Sequence, residues 1–369
     1  MVYKLIQYIL RIYLPAFFKK IEVRGIDNLP KDKPLIFAVN HQNALMDGIL
    51  VALKLKKPIY FLTRSDVFKG KWIIQIFKLL NLVPIFRSQD GFEDITKKNK
   101  ETFKYCIEEL EKAKQVLIFP EGISEPIHHL FNLKKGVARL ALEAESKNDF
   151  NLNLYVVPVA INYENHFIGG KKVFVNYSEP IKISEYKNMY QESESKARAK
   201  LLRDIKSSLK RNMIHVYGDY ARFKEMYWKG IIHKYKSDKE IIAAVKSIPK
   251  EAVQFTTKGR NWRKEKYTYN RHRPVQIRVF YFFVCLPGFI LFSPTILLTK
   301  LLLCKVKDES FYLSVTSLGW LLFGIIQSVI SLAYLYGNSS WSIFFLSLIG
   351  LVLIAYITLR NFYKPIKGE

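Results

Sequence analysis

The sequence has little cysteine: three in 369 residues, Cys106, Cys285 and Cys304. That excludes a disulfide-stapled secreted scaffold and a Cys-rich zinc ribbon, and it fits a reducing compartment. Acidic residues are also scarce, with 32 Asp and Glu against 58 Lys and Arg, a net charge of +26. This excludes an acidic or neutral soluble enzyme and asks for an anionic neighbour, either nucleic acid or a phospholipid surface. Wholesale disorder is excluded by a composition that is 49% hydrophobic and 24% charged. No internal repeat is evident.

The largest gap is local. From Ser310 to Leu359 there is no Asp, Glu, Lys or Arg. Such a run holds two membrane crossings of about 20 residues each. The turn-forming cluster Gly337-Asn338-Ser339-Ser340 divides it, so 311–336 and 341–359 read as two transmembrane helices, with Tyr334, Tyr336 and Trp341 forming an aromatic belt at the turn. A buried soluble hairpin is the competing reading. A third apolar stretch, 279–304, is interrupted by Lys300 and contains Pro287-Gly288 and Pro294, so it is kinked or re-entrant. Basic clusters precede it (Arg271, Arg273, Arg278), follow it (Lys305, Lys307) and close the chain (Arg360, Lys364, Lys367). A re-entrant hairpin plus two spans puts all three clusters on the cytoplasmic side.

At the other end, residues 1–20 lack a small-residue cleavage site and carry Lys4 and Arg11 within the apolar run, so they are not a signal peptide. Leu5, Ile6, Ile9, Leu10, Tyr13 and Phe17 recur at helical spacing. The helix lies in a membrane interface or packs on a core. Residues 21–186 alternate strand-like and helix-like segments: strands at 34–39, 59–62, 82–86, 115–119, 155–161 and 173–177, helices at 72–80, 96–114 and 134–144. The fold class is α/β, a mixed sheet flanked by helices. Residues 187–275 form a basic helical region, 23 Lys and Arg against 9 Asp and Glu, with helices expected at 193–213 and 237–243. The membrane region, 276–369, follows.

Four places carry chemistry. Asn40-His41-Gln42-Asn43-Ala44-Leu45-Met46-Asp47 follows the first strong strand. An imidazole beside a carboxylate is a general base held in one tautomer; an Asp-capped turn is the plain alternative. Val83-Pro84-Ile85-Phe86-Arg87 is a strand ending in an Arg, a planar fork for phosphate or a surface cation. Phe119-Pro120-Glu121-Gly122-Ile123-Ser124 is a strand running into a turn, and Leu133-Lys134-Lys135-Gly136 opens a helix; backbone amides there suit a phosphate, or the segment is a bare turn. Val156-Val157-Pro158-Val159-Ala160 alone signals an edge or bulged strand.

Together and in this order, the four blocks resemble the glycerophospholipid acyltransferase family over roughly residues 20–185. The resemblance implies His41 as general base with Asp47 its partner, and Arg87 on the acceptor's phosphate. It implies Glu121 and Gly122 in the acceptor site, Lys134 at its edge and Pro158 in the pocket wall near the acyl chain; Asn40, Ser124 and Gly136 lie in the same blocks and join the substrate-binding set. The co-substrate would be acyl-CoA or acyl carrier protein (acyl-ACP), the acceptor lysophosphatidate or glycerol-3-phosphate, and no metal or redox cofactor is implied. The chain would be a multi-pass protein of the cytoplasmic membrane, its partner a phospholipid bilayer, its catalytic domain facing the cytoplasm.

Two departures from the family pattern stand out. Five residues, not four, separate His41 from Asp47. On one regular helix that spacing leaves the side chains about 240° apart, so the segment must bend, with Asp47 near the start of a helix expected at 48–55. Ile123-Ser124 replaces the usual Thr-Arg, leaving Lys134 or Lys135 to substitute. This form of the third block, followed by Leu-Lys-x-Gly, looks more like the glycerol-3-phosphate or dihydroxyacetone-phosphate acyltransferase branch. Two other classes compete: a non-catalytic membrane adaptor and a membrane-linked nucleic-acid binder using 187–275. No nucleic-acid recognition motif is present, and the adjoining spans favour lipid as the anion.

Overall fold

The computed structural model describes residues 2–87, 93–215 and 293–338, with side chains to 330 in the last helix. The expected helix at 237–243, the rest of the basic region beyond 215, the first part of the 279–304 stretch and the second span at 341–359 lie outside these residues.

In chain order the elements are α1 (Val2–Phe17), β1 (Lys20–Arg24), β2 (Leu35–Val39), α2 (Ala44–Ala52), β3 (Ile59–Arg64), α3 (Lys71–Leu79), β4 (Leu82–Ile85), α4 (Ile95–Glu111), β5 (Gln115–Ile118), α5 (Gly136–Lys147), β6 (Tyr155–Tyr163), β7 (Lys172–Tyr177), β8 (Ile181–Lys182), α6 (Lys187–Glu192), α7 (Glu194–Asn212), α8 (Ser293–Lys305) and α9 (Tyr312–Asn338). The described strands form one mixed sheet in the order β1-β7-β6-β2-β5-β3-β4, with β8 paired to β6. Every pairing is parallel except those that β6 makes with β7 and β8.

β2 reads LIFAV, an unbroken apolar run, because it is buried on both faces between β6 and β5. Its alternate residues feed two cores. Ile36 and Ala38 meet α4, α5 and α7, where Leu110, Leu140, Leu201 and Ile205 are buried. Leu35, Phe37 and Val39 meet α1 and α2 through Leu14, Met46 and Leu50. The first core explains why α7, within the basic region, is amphipathic: its apolar positions pack on the sheet and its charges face outward.

Pro158 corrects the expectation of an edge or bulged strand, since β6 is interior. The amide of Tyr155 donates to Pro34 O in the β2 direction. Alternation therefore points position 158 the other way, opposite the break between the end of β7 at Tyr177 and the start of β8 at Ile181. The missing N–H costs no ladder bond there, and the Pro158 carbonyl accepts from Ser178 N at 2.9 Å.

α1 docks through Leu10, Leu14 and Phe17 and leaves Leu5, Tyr8 and Ile12 exposed. Its Gln7 and Arg11 donate to the carbonyls of Ala52, Leu53 and Leu55, which end α2. α8 and α9 form a hairpin in which Gly319 lies against Thr299, closely enough that a Cβ would sit 3.1 Å from its side chain. Among the described residues one stretch, Glu309–Ile330, is long and apolar enough to cross a membrane. Leu313 at its start is buried with α1 and α2.

Candidate active site

In parallel strands the carboxyl ends share one edge, and sites in such sheets form there. β2 delivers Asn40 and His41 to that edge, and β5 delivers Phe119 to Glu121. β4 delivers Phe86 and Arg87, and β6 ends in Tyr163.

After Val39 the chain leaves β2 without starting a helix. Asn40 extends the sheet through its side chain, accepting from Ile161 N at 2.7 Å and donating to Ile161 O at 3.0 Å. The helix begins at Ala44, four residues earlier than the expected 48–55. Ala44 has φ +33, a sparsely populated region that costs on the order of 1–3 kcal/mol for a residue with a Cβ. Its amide donates to Ser124 Oγ at 2.9 Å. This bend defeats the regular-helix geometry: His41 precedes the helix, and Asp47 lies in its first turn facing back. Asp47 Oδ2 stands 3.0 Å from His41 Nδ1 and accepts the amides of Gln42 (2.8 Å) and Asn43 (2.7 Å). The capped turn and the imidazole partner, posed as alternatives from sequence, are the same structure.

Asp47 is fully buried, and the hydroxyl of Tyr163 donates to its Oδ1 at 2.7 Å. Burial foremost, and the Asp47 charge beside it, push the Tyr163 phenol well above its ordinary value, so it remains a donor. A carboxylate oxygen only accepts, so the contact with Oδ2 assigns the neutral His41 ring the tautomer with its proton on Nδ1 and the lone pair on Nε2. The His41 side chain is 16% exposed, and its ring stacks on Phe119 at 3.7 Å between centroids.

Glu121 lies behind this pair. It is 2% exposed, and its two oxygens accept the amides of His41 and Phe131, each at 2.7 Å. It thereby ties the His41 loop to the segment entering α5. Burial pushes its carboxyl up to about 7, against the pull of the two amides and with the Asp47 charge adding to the rise. Gly122 has φ +70 and lies under the aliphatic part of Lys134, whose amide donates to Pro120 O at 2.6 Å. The ammonium end of Lys134 extends from an exposed residue.

The structure thus brings together His41, Asp47, Asn40, Glu121 and Ser124, with Gly122 and Lys134 adjoining. Arg87 stands apart. It is half-buried beyond β4, three strand spacings or about 14 Å from β2 along the sheet. The Arg64–Asp66 ion pair lies nearby: Asp66 is held below its ordinary value first by the Arg64 hydrogen bond and also by the Arg87 charge. Gly136 opens α5 over Ile118 and Phe103, and Pro158 is buried within the sheet.

Sequence reasoning missed Tyr163 and Ser314. Tyr163 sits three residues past the Val-Pro-Val-Ala block on the same alternation as Val157, Val159 and Ile161, a signal that was available. Ser314 Oγ accepts Met46 N at 3.0 Å from α9, and nothing in the sequence marks it. Among the described residues no cluster of His, Cys, Asp and Glu could hold a metal ion.

Residues 20–162 match the family model for an acyltransferase domain. A stretch of 112 residues is 35% identical to glycerol-3-phosphate O-acyltransferase 2 of Saccharomyces cerevisiae, covering 30% of this chain and 15% of the relative's length. The crystal structure of the 1-acyl-sn-glycerophosphate (LPA) acyltransferase PlsC from Thermotoga maritima superposes with a TM-score of 0.40 at 22% identity, covering 56% of this chain and 79% of that one. Residues 20–162 of this chain thus match an acyltransferase domain, and within it the chain is similar to a glycerol-3-phosphate acyltransferase.

Proposed function

We propose that the protein transfers a fatty acyl group from an acyl thioester, acyl-CoA or acyl-ACP, to a hydroxyl of a glycerol-phosphate acceptor at the cytoplasmic face of a membrane. The observation that carries this reading is the His41 ring, fixed through Nδ1 on a fully buried carboxylate and partly open at the carboxyl edge of the sheet. Nε2 takes the proton of the acceptor hydroxyl as its oxygen attacks the thioester carbonyl; Asp47 favours the imidazolium that forms; the tetrahedral intermediate collapses with loss of the thiol, which recovers the proton. Such a base contributes about 10²–10⁴-fold.

Glu121 positions the base by holding the His41 amide, and Ser124 does so by holding the bend at Ala44. The acceptor's phosphate lies at the carboxyl edge of the sheet between the Gly122–Lys134 corner and Arg87. Glycerol-3-phosphate is the first acceptor to try, since the curated relative is named for it; lysophosphatidate is the second. The reaction as read needs neither metal nor redox cofactor. The apolar stretch within α9, the second apolar run at 341–359 and a re-entrant 279–304 hold the domain on the bilayer.

The test is transfer from a labelled thioester to glycerol-3-phosphate, lysophosphatidate and a lysophospholipid, with His41→Ala beside the wild type. Transfer to one acceptor that falls at least 100-fold in the variant supports the reading. Undiminished transfer removes His41 from its role. No transfer to any acceptor, with DNA binding that weakens steeply with salt, replaces the reading with the nucleic-acid one. Cysteine labelling addresses topology: Asn338 should label from outside and Lys307 from inside, and the reverse defeats the re-entrant arrangement.

A further inference from the structure

α3 is built the wrong way round for a soluble helix. Ile74, Phe77 and Leu80 turn partly inward, and Phe77 packs edge-on against Phe68. The outward side carries Trp72, Ile73, Ile76 and Leu79, at i, i+1, i+4 and i+7, with exposures of 81%, 41%, 52% and 56%. None of the helix's residues is fully buried. Scattered exposed apolar residues need no explanation, but a continuous stripe headed by a bare tryptophan marks a contact.

Three observations say what the contact is. First, Lys69, Lys71 and Lys78 are exposed around the stripe and no acidic residue lies between 69 and 79. An apolar stripe with a Trp and a cationic flank suits the boundary of headgroups and acyl chains in an anionic leaflet. Second, α3 faces the way the candidate span faces. The steps β2-α2-β3 and β3-α3-β4 move in the same direction across the sheet, and right-handed crossovers put both helices on one face. α1 covers that face with its own exposed Leu5, Tyr8 and Ile12, and α9 is seated there through Leu313 and Ser314. Third, α3 follows the carboxyl end of β3, so Trp72 lies at the edge of the sheet where His41 emerges.

We infer that the Trp72–Ile73–Ile76–Leu79 stripe of α3 lies in the interface of an anionic leaflet, a contact separate from the C-terminal helices that sets the carboxyl edge of the sheet against the lipid. The inference rests on the reading of the chain as membrane-bound but not on its chemistry, and its test reads position rather than turnover.

The full chain, with Cys285→Ser and Cys304→Ser and the buried Cys106 retained, receives a nitroxide label at Trp72→Cys, at Ile76→Cys or, on the opposite face of the sheet, at Lys104→Cys. Each is reconstituted into vesicles of phosphatidylcholine and phosphatidylglycerol. Collision with oxygen, which concentrates in lipid, is compared with collision with a water-soluble nickel chelate. The ratio of oxygen to nickel collision, normalised to a free surface label, should exceed one at 72 and 76 and fall below one at 104. Nickel access at 72 and 76 equal to that at 104 overturns the inference. So does exclusion of both reagents there, the signature of a cover supplied by another part of the chain or a second copy. Labelled protein that lacks acyl transfer in the wild-type background while the ratio still exceeds one strikes the catalytic reading and sustains this one.

Discussion

Replacing Tyr163 with Phe removes one hydroxyl and nothing else from the support of Asp47. That carboxylate is fully buried and receives four donors: Tyr163 OH on Oδ1, and His41 Nδ1, the Gln42 amide and the Asn43 amide on Oδ2. A hydrogen bond to a charged group contributes about 1.5–3 kcal/mol net, and a phenyl ring fills the same space, so the expected loss of stability is about 2 kcal/mol. The catalytic effect is separate. With Oδ1 bare, Asp47 is fixed through Oδ2 alone, and its hold on the orientation of the His41 ring loosens. If half the lost energy is felt in the transition state, about 1 kcal/mol, kcat falls roughly fivefold at neutral pH. KM for the thioester stays unchanged, because Tyr163 does not reach the surface. Rates followed by thiol release between pH 5.5 and 9, with thermal unfolding in detergent on the same samples, separate the two effects. A variant that loses stability yet keeps the wild-type kcat would refute the coupling of Tyr163 to the base.

Glu121 predicts a pH dependence of stability. Its ordinary value is 4.5 and its folded value about 7, so the folded state binds the proton more tightly. The contribution is present in full below about pH 4.5 and is lost as pH rises through 7, some 3 kcal/mol in all. Unfolding free energy should fall over that window in the wild type and flatten in Glu121→Gln; equal slopes would contradict the assignment. Gly25 has φ +72, and a Cβ there would lie 2.0 Å from Tyr177 O. Gly25→Ala should therefore cost about 3 kcal/mol or more by loosening β1 from β7, and an unshifted melting temperature would show that the turn has room. Ser314→Val removes the acceptor for Met46 N at the start of α2; a loss of about 1 kcal/mol together with a lower kcat is expected, and full activity would show that α9 does not support the site.

The sheet was largely legible because a parallel interior writes itself as unbroken apolar runs. LIFAV at β2 and VVPVAI within β6 admit few other readings. β1 and β8 escaped because edge strands carry charged residues: KIEVR and IK have no apolar run to find. The start of α2 was misplaced for a different reason. It depends on a left-handed Ala44 held by Ser124, a residue eighty positions away, and propensity contains no such information. The His41–Asp47 pairing was legible from residue type, and its one-residue excess in spacing is what that bend absorbs. Glu121 was marked as functional by its block, but its burial was not: only the fold shows that both oxygens are occupied by amides.

The dyad is not independent of α1 and α9. α2 has nine residues, too short to be stable alone, and it carries Asp47. Its far end is held by Gln7 and Arg11 of α1, and its near end by Ser314 of α9. Tyr13 of α1 in turn donates to Ser317 O on α9 at 2.7 Å, so the two clamps are joined to each other. Any force that shifts α1 or α9 against the sheet therefore acts on the helix that orients the imidazole. A domain of this kind, cut free of both helices, would keep its sheet and loosen the relation between His41 and Asp47, because the sheet holds Asp47 only through the Tyr163 hydroxyl while both ends of its helix lose their partners.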